Sequence, residues 1–182
     1  PAMTNTVLAT NQAGNGGGLY VAGGTTQLDM VHTTIVGNVA TDVIDVGDGV
    51  YVNAGSVVLL NTIVANHSMG VYPNFGSSVE MEYTLWWANS AATGGGDIST
   101  ERDYEGDPFF VNAPAGDYHI QPGSAAVGRG VPAGVAFDLD IHARILVQPL
   151  CLAAQCLHAF RRQRGLVNQE VNPVTHVDDE IP

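Results

Sequence analysis

Lysine is absent from this 182-residue chain, and its six cationic side chains are all arginine. Against 18 Asp and Glu they leave a formal net charge of −12. Such a field repels a phosphate backbone and an anionic bilayer, which argues against nucleic acid and acidic membrane as partners. It also disfavours polyuronates unless a divalent cation bridges the carboxylates. Charged residues are only 13% of the chain and hydrophobic residues 45%, which is not the profile of a disordered polymer. No apolar run approaches the ~18 residues of a membrane-spanning helix, so no membrane span is expected. No charged-then-apolar signal peptide opens the chain, although a mature fragment whose leader had been removed would read the same. There are two cysteines, Cys151 and Cys156. On a helix they would face different sides, so they read as small buried apolar residues rather than a disulfide.

What the chain has in abundance is glycine, 22 residues, and a recurring phrase. Asn5-Thr6-Val7-Leu8-Ala9-Thr10 returns as Thr33-Thr34-Ile35-Val36-Gly37-Asn38 and again as Asn61-Thr62-Ile63-Val64-Ala65-Asn66, at a spacing of 28. Gly16-Gly17-Gly18-Leu19-Tyr20-Val21 is answered by Gly47-Asp48-Gly49-Val50-Tyr51-Val52. Two phrases repeating in the same order mark a structural repeat of solenoid or array type. Each copy holds short apolar pairs broken by polar steps, a length suited to strands and too short for helices. Three short strands per repeat, with Gly-rich corners at 14–18, 23–24 and 47–49, make one coil of a parallel β-helix.

This spacing predicts an interior column of Val7, Ile35 and Ile63, and polar ladders Asn5/Thr33/Asn61 and Thr10/Asn38/Asn66. The Asn and Thr side chains of these ladders are expected to satisfy turn backbone. Residues 2–10 already belong to a repeat, so the chain is expected to be cut from a longer protein, with an uncapped end that invites self-association through the open solenoid ends.

The cadence of these phrases resembles bacterial surface proteins of right-handed parallel β-helix type, among them polymorphic outer-membrane proteins and proteins with a choice-of-anchor Q domain. Gly106-Asp107-Pro108-Phe109-Phe110-Val111-Asn112, followed by Gly116-Asp117-Tyr118-His119-Ile120-Gln121-Pro122-Gly123-Ser124-Ala125-Ala126, is similar to the ending of such β-helices, where the chain leaves the last coil. The resemblance implies an extracellular or cell-surface location and glycan-rich surroundings. It does not by itself imply a reaction. The expected organisation is an all-β parallel β-helix over 1–130, with repeats over 2–67, irregular coils over 68–105 and the ending over 106–130. Residues 131–182 are expected to form a cap or tail. Its stretch Leu150, Leu152, Ala153, Cys156, Leu157, Phe160 would place an apolar stripe on a capping helix, and sequence foreign to the solenoid is the other reading.

Two places carry candidate chemistry. Tyr72, Trp86 and Trp87, with Glu80 and Glu82, combine aromatic faces and carboxylates, the elements of a carbohydrate-binding surface. Packing over the side of the solenoid is the competing reading, and strand alternation places one Trp inside and the other outside. Asp42, Asp45 and Asp48 form the densest acidic cluster within the repeats. β-Helical pectin hydrolases use clustered Asp on adjacent strands, so these three are candidate catalytic residues, and Asp45 with Asp48 are candidate Ca²⁺ ligands. Asp in turns for local hydrogen bonding is the alternative. A lyase would need a cationic base, for which Arg102 and Arg129 are the candidates, and Asp29 with His32 form a further pair. The sequence therefore leaves two readings open. One is a glycan-binding, adhesive module, and the other is a polysaccharide-active enzyme, hydrolase before lyase.

Overall fold

The computed structural model describes residues 1–42 and 47–135. Asp45 and the cap-or-tail sequence from 136 onward, with both cysteines, lie outside the described residues. Apart from one 3-10 turn at Ala113–Ala115, every regular element among the described residues is a strand. The first repeat supplies β1 (Ala2–Thr4), β2 (Val7–Ala9), β3 (Gln12–Ala13) and β4 (Leu19–Val21). The second supplies β5 (Gln27–Val31), β6 (Thr34–Val36), β7 (Val39–Ala40) and β8 (Val50–Val52). The third gives β9 (Ser56–Leu60), β10 (Ile63–Ala65) and β11 (Met69–Pro73), and the fourth β12 (Ser78–Glu82), β13 (Leu85–Trp87) and β14 (Ala91–Thr93). A fifth begins with β15 (Asp97–Glu101) and β16 (Tyr104–Glu105), and β17 (Phe110–Asn112) and β18 (Asp117–Ile120) follow.

Successive repeats pair in parallel. The first sheet runs β1-β5-β9-β12-β15, the second β2-β6-β10-β13-β16 and the third β4-β8-β11-β14. The described residues thus form an all-β array of repeat-like parallel sheets. Alternate residues of each strand point inward. Leu28, Met30, Val57, Leu59, Val79 and Met81 of the first sheet meet Ile35, Val64 and Trp86 of the second and Val50, Val52 and Val71 of the third. Met30, Ile35, Leu59 and Met81 are 0% exposed, and full burial of such a side chain stabilises by about 2 kcal/mol.

The register corrects the columns expected from the 28-residue spacing. Leu8 pairs with Ile35 and Ile35 with Val64, so the interior column is Leu8, Ile35, Val64, Trp86, while Val7 stands beside Thr34 and Thr34 beside Ile63. On the first sheet Met3, Met30 and Leu59 align. The cause lies at the corner between the first and second sheets. There Asn5, His32, Asn61, Tyr83 and Arg102 all take left-handed backbone, with φ between 51° and 57°. Each of the first four sends its N–H to the carbonyl before the next corner, as from His32 to Leu60 and from Asn61 to Glu82. The corner ladder is therefore Asn5/His32/Asn61. The next corner is Thr10, Gly37, Asn66 and Ala88, with Asn38 one residue beyond it.

Most of these corners are not glycine. The repeated glycines serve close approach instead. A Cβ on Gly18 would stand 2.6 Å from the carbonyl oxygen of Gly49, one on Gly49 2.4 Å from that of Gly70, and one on Gly70 2.6 Å from that of Ala92. Neighbouring repeats meet backbone to backbone along this column.

The ending string folds as an antiparallel pair, β17 with β18. Phe110, Tyr118, Ala125 and Ala126 pack on Val36, Ile63, Ala65 and Leu85, the outward residues of the second sheet. Asn61 clamps the returning chain, donating from Nδ2 to the Val131 carbonyl at 2.8 Å and accepting the Val131 N–H at 2.9 Å. The second sheet is therefore covered on both faces over much of its area, and this moves any binding surface elsewhere.

Candidate functional site

The outer face of the first sheet carries a concavity among the described residues. Its four longest strands are in register over five residues, which brings outward side chains into rows. Asp29, Val58, Glu80 and Ser99 form one row, and Gln27, Ser56, Ser78 and Asp97 the next. Strands lie about 4.8 Å apart, so Asp29 and Glu80, separated by one strand, stand about 10 Å apart at the backbone. A shallow concavity of about 410 Å³ opens over these rows, lined by Gln27, Ser56, Ser78, Glu80, Asp97 and Ser99 around Val58. Hydroxyls, an amide and carboxylates surround a small apolar floor, which suits a ligand with many hydroxyl groups and little charge. Gln27 Nε2 donates to Asp29 Oδ1 at 3.0 Å and holds that carboxylate against the sheet.

A third row, Val31, Leu60, Glu82 and Glu101, meets Arg102 at the corner. The Arg102 guanidinium donates to the Tyr83 hydroxyl and lies 3.3 Å from Glu101 and 3.7 Å from Glu82. The Tyr83 hydrogen bond, with the carboxylates of Glu101 and Glu82 beside it, raises its pKa, so it is a fixed cation rather than a base. Arg129 sits over the Tyr104 ring at 5.7 Å. His32 occupies the left-handed corner, one repeat from Asn61.

The structure distributes the aromatic and acidic candidates over three sheets. Glu80 and Glu82 are on the outer face of the first. Trp86 is buried in the second sheet, and its Nε1 donates to Asp103 Oδ2 at 3.3 Å, while Trp87 next to it is 40% exposed. The alternation expected of the pair is thus present. Tyr72 lies on the third sheet in a stack with Tyr51 and Tyr20, with ring centroids 6.0 and 5.5 Å apart. These side chains do not converge on one patch.

Asp42 and Asp48 have different surroundings. Asp42 is exposed and accepts from Asn15 Nδ2 at 2.6 Å. Asp48 is 6% exposed, and its two oxygens accept the Ala40 N–H at 2.7 Å and the Met69 N–H at 2.8 Å. Its carboxylate thus ties β7 to the start of β11. Among the described residues, no group of three or more His, Cys, Asp and Glu is placed to hold one metal ion.

Two polar features escaped the sequence reading. A ladder of Asn11, Asn38, His67 and Asn89 follows the second corner, with Asn38 and His67 buried. The signal was the polar residue just after each second corner, hidden by the wrong register. Asp103 is the other. Burial pushes its carboxyl up from the ordinary value, against the opposing Thr84 N–H at 2.9 Å and the Trp86 indole. No family model, curated protein or solved structure matches this chain.

Proposed function

We propose that residues 1–130 form a right-handed parallel β-helix, displayed outside the cell or on its surface, that binds a neutral polysaccharide along the outer face of the first sheet. The observation that carries this reading is the hydroxyl- and carboxylate-lined concavity over Val58, on a face whose rows repeat from strand to strand. A chain ligand is matched by a repeating surface, because equivalent contacts recur along it. The net charge of −12 favours neutral over anionic chains. The three parallel sheets, each receiving its strands in repeat order, support the solenoid, and the cadence that resembles surface β-helices supports the location.

Affinity electrophoresis through gels containing neutral or acidic polysaccharides tests it. At least one neutral polysaccharide retards the protein, and Ser78→Trp, which fills the concavity from an exposed position, abolishes the retardation. Retardation by no neutral polysaccharide, or retardation unaffected by Ser78→Trp, overturns the proposal.

A second reading, a glycoside hydrolase, is favoured by one relationship. Asp29 and Glu80 share a row with one strand between them. Their backbone separation of about 10 Å lets the carboxyl groups lean to the roughly 6.5–9.5 Å used by inverting hydrolases. Release of reducing ends that disappears in Glu80→Gln, with binding retained, supports turnover. Binding without release supports the adhesive module.

A further inference from the structure

Among the described residues, the third sheet is one strand short of the other two. The first and second sheets each hold five strands and the third holds four. Where a fifth strand would lie beside β14, among the described residues, the wall is replaced by a concavity of about 280 Å³. Thr93 of β14, Thr100 of β15, and Asp103, Tyr104 and Glu105 at β16 line it, with Trp86 at its base.

Its chemistry is one-sided. Two carboxylates and two threonine hydroxyls offer acceptors, and no Arg or His is among the described side chains that line it. Arg129 is stacked over the Tyr104 ring at 5.7 Å and is not among the lining side chains, so phosphate, sulfate and uronate groups entering the cavity would face chiefly the two carboxylates. Asp103 is also held in place before any ligand arrives, because the Thr84 N–H fixes Oδ1 and the Trp86 indole fixes Oδ2. Each oxygen retains acceptor capacity for a further donor. A carboxylate prepared this way, partly withdrawn from water and without a cationic partner lining the cavity, suits hydroxyl donors that bring no charge. The volume lies near the lower limit of small-molecule sites, about 300 Å³, and so admits one ring rather than a chain.

We propose that this gap is a second binding site, separate from the first-sheet face, for a single neutral sugar residue. The hydroxyl groups of the sugar donate to Asp103 and Glu105, and Thr93 and Thr100 exchange hydrogen bonds with the remainder. Burial holds the Asp103 carboxyl above its ordinary pKa, so a neutral donor relieves its desolvation.

Saturation-transfer difference NMR of the whole chain with D-glucose, D-galactose, D-mannose and N-acetyl-D-glucosamine tests this. At least one sugar receives saturation. Glu105→Gln and Thr100→Val, both at exposed positions, weaken its binding about tenfold, the expected loss of a hydrogen bond to a charged group or its equivalent. Gly24→Ala, at a turn that lines neither concavity, leaves it unchanged. Circular dichroism melts confirm that the variants remain folded. Absence of transfer to every sugar overturns the site. Weakening by Glu80→Gln, but not by Glu105→Gln or Thr100→Val, overturns it as well, since the signal then belongs to the first-sheet face. Binding of methylammonium in preference to all four sugars overturns the ligand class.

Discussion

The side-chain amide of Asn38 lies 3.3 Å from Nε2 of His67, and the surrounding hydrogen bonds determine which atom donates. The Asn11 N–H donates to Asn38 Oδ1 at 3.0 Å, so Asn38 turns its NH₂ toward the ring. On the other side, the His67 N–H donates to Asn89 Oδ1 at 3.0 Å, which leaves that oxygen to accept from His67 Nδ1 at 3.1 Å. His67 is therefore a neutral imidazole with its proton on Nδ1. A second proton on Nε2 would face the Asn38 NH₂, donor against donor.

Acid should loosen this ladder. Burial lowers the His67 pKa below 6.5, while the Asn89 hydrogen bond and the charge of Asp48 oppose the shift. Between the folded and unfolded values the unfolded chain binds more protons, so stability rises with pH there. The contribution is complete above about pH 6.5 and is lost as pH falls through the folded-state value. The urea midpoint should drop between about pH 7 and pH 5, and His67→Gln should flatten that drop.

Asp48 and Asp42 should separate cleanly on mutation. Asp48→Ala leaves the Ala40 and Met69 N–H groups without their acceptor, at a cost of about 3 kcal/mol. Asp42→Ala removes one exposed contact to Asn15 and should change stability by less than about 0.5 kcal/mol. Equilibrium urea unfolding of the two variants measures the difference.

Ala88 holds a φ of 49° at an exposed corner. A left-handed conformation is unfavourable for an alanine by about 1 kcal/mol, and glycine adopts it freely. Ala88→Gly should therefore stabilise the folded chain or leave it level, the entropy of the more flexible unfolded glycine offsetting part of the gain. A urea midpoint at or above that of the parent chain, with an unchanged denaturant slope, is the expected result.

Gly49→Ala should do the reverse. Its Cβ would lie 2.4 Å from the Gly70 carbonyl oxygen, and backbone on both sides must separate to admit it. A loss of about 3 kcal/mol is expected, read from thermal or urea unfolding. Gly24→Ala, where a Cβ meets nothing within 4 Å, is the control and should unfold like the parent chain.

Much of the architecture was legible in the sequence because its signals are local. Short apolar pairs between polar steps specify strands, alternation places one of Trp86 and Trp87 inside and the other outside, and a phrase written three times requires like strands side by side. Register was not legible. It depends on how many residues the Gly-rich loops consume between left-handed corners. The path from Asn5 to His32 is one residue shorter, and that from His32 to Asn61 one residue longer, than the spacing of the phrases.

Only the tertiary structure decided what each acidic or aromatic residue faces. Asp48 reads as a cluster member with Asp42, yet two backbone N–H groups from different repeats claim its carboxylate. The outer rows of the first sheet join Asp29, Glu80 and Asp97 from three separate repeats, and the returning chain at Asn61 and Val131 covers the second sheet. Such neighbours are distant in sequence, and their meeting depends on stacking and chain reversal, which no single stretch encodes. By itself the sequence determined an all-β region of repeated short strands before the tail, because alternation and phrase spacing act within one repeat. Which surfaces stayed open was decided by the tertiary structure, because that depends on what every other repeat and the returning chain bury.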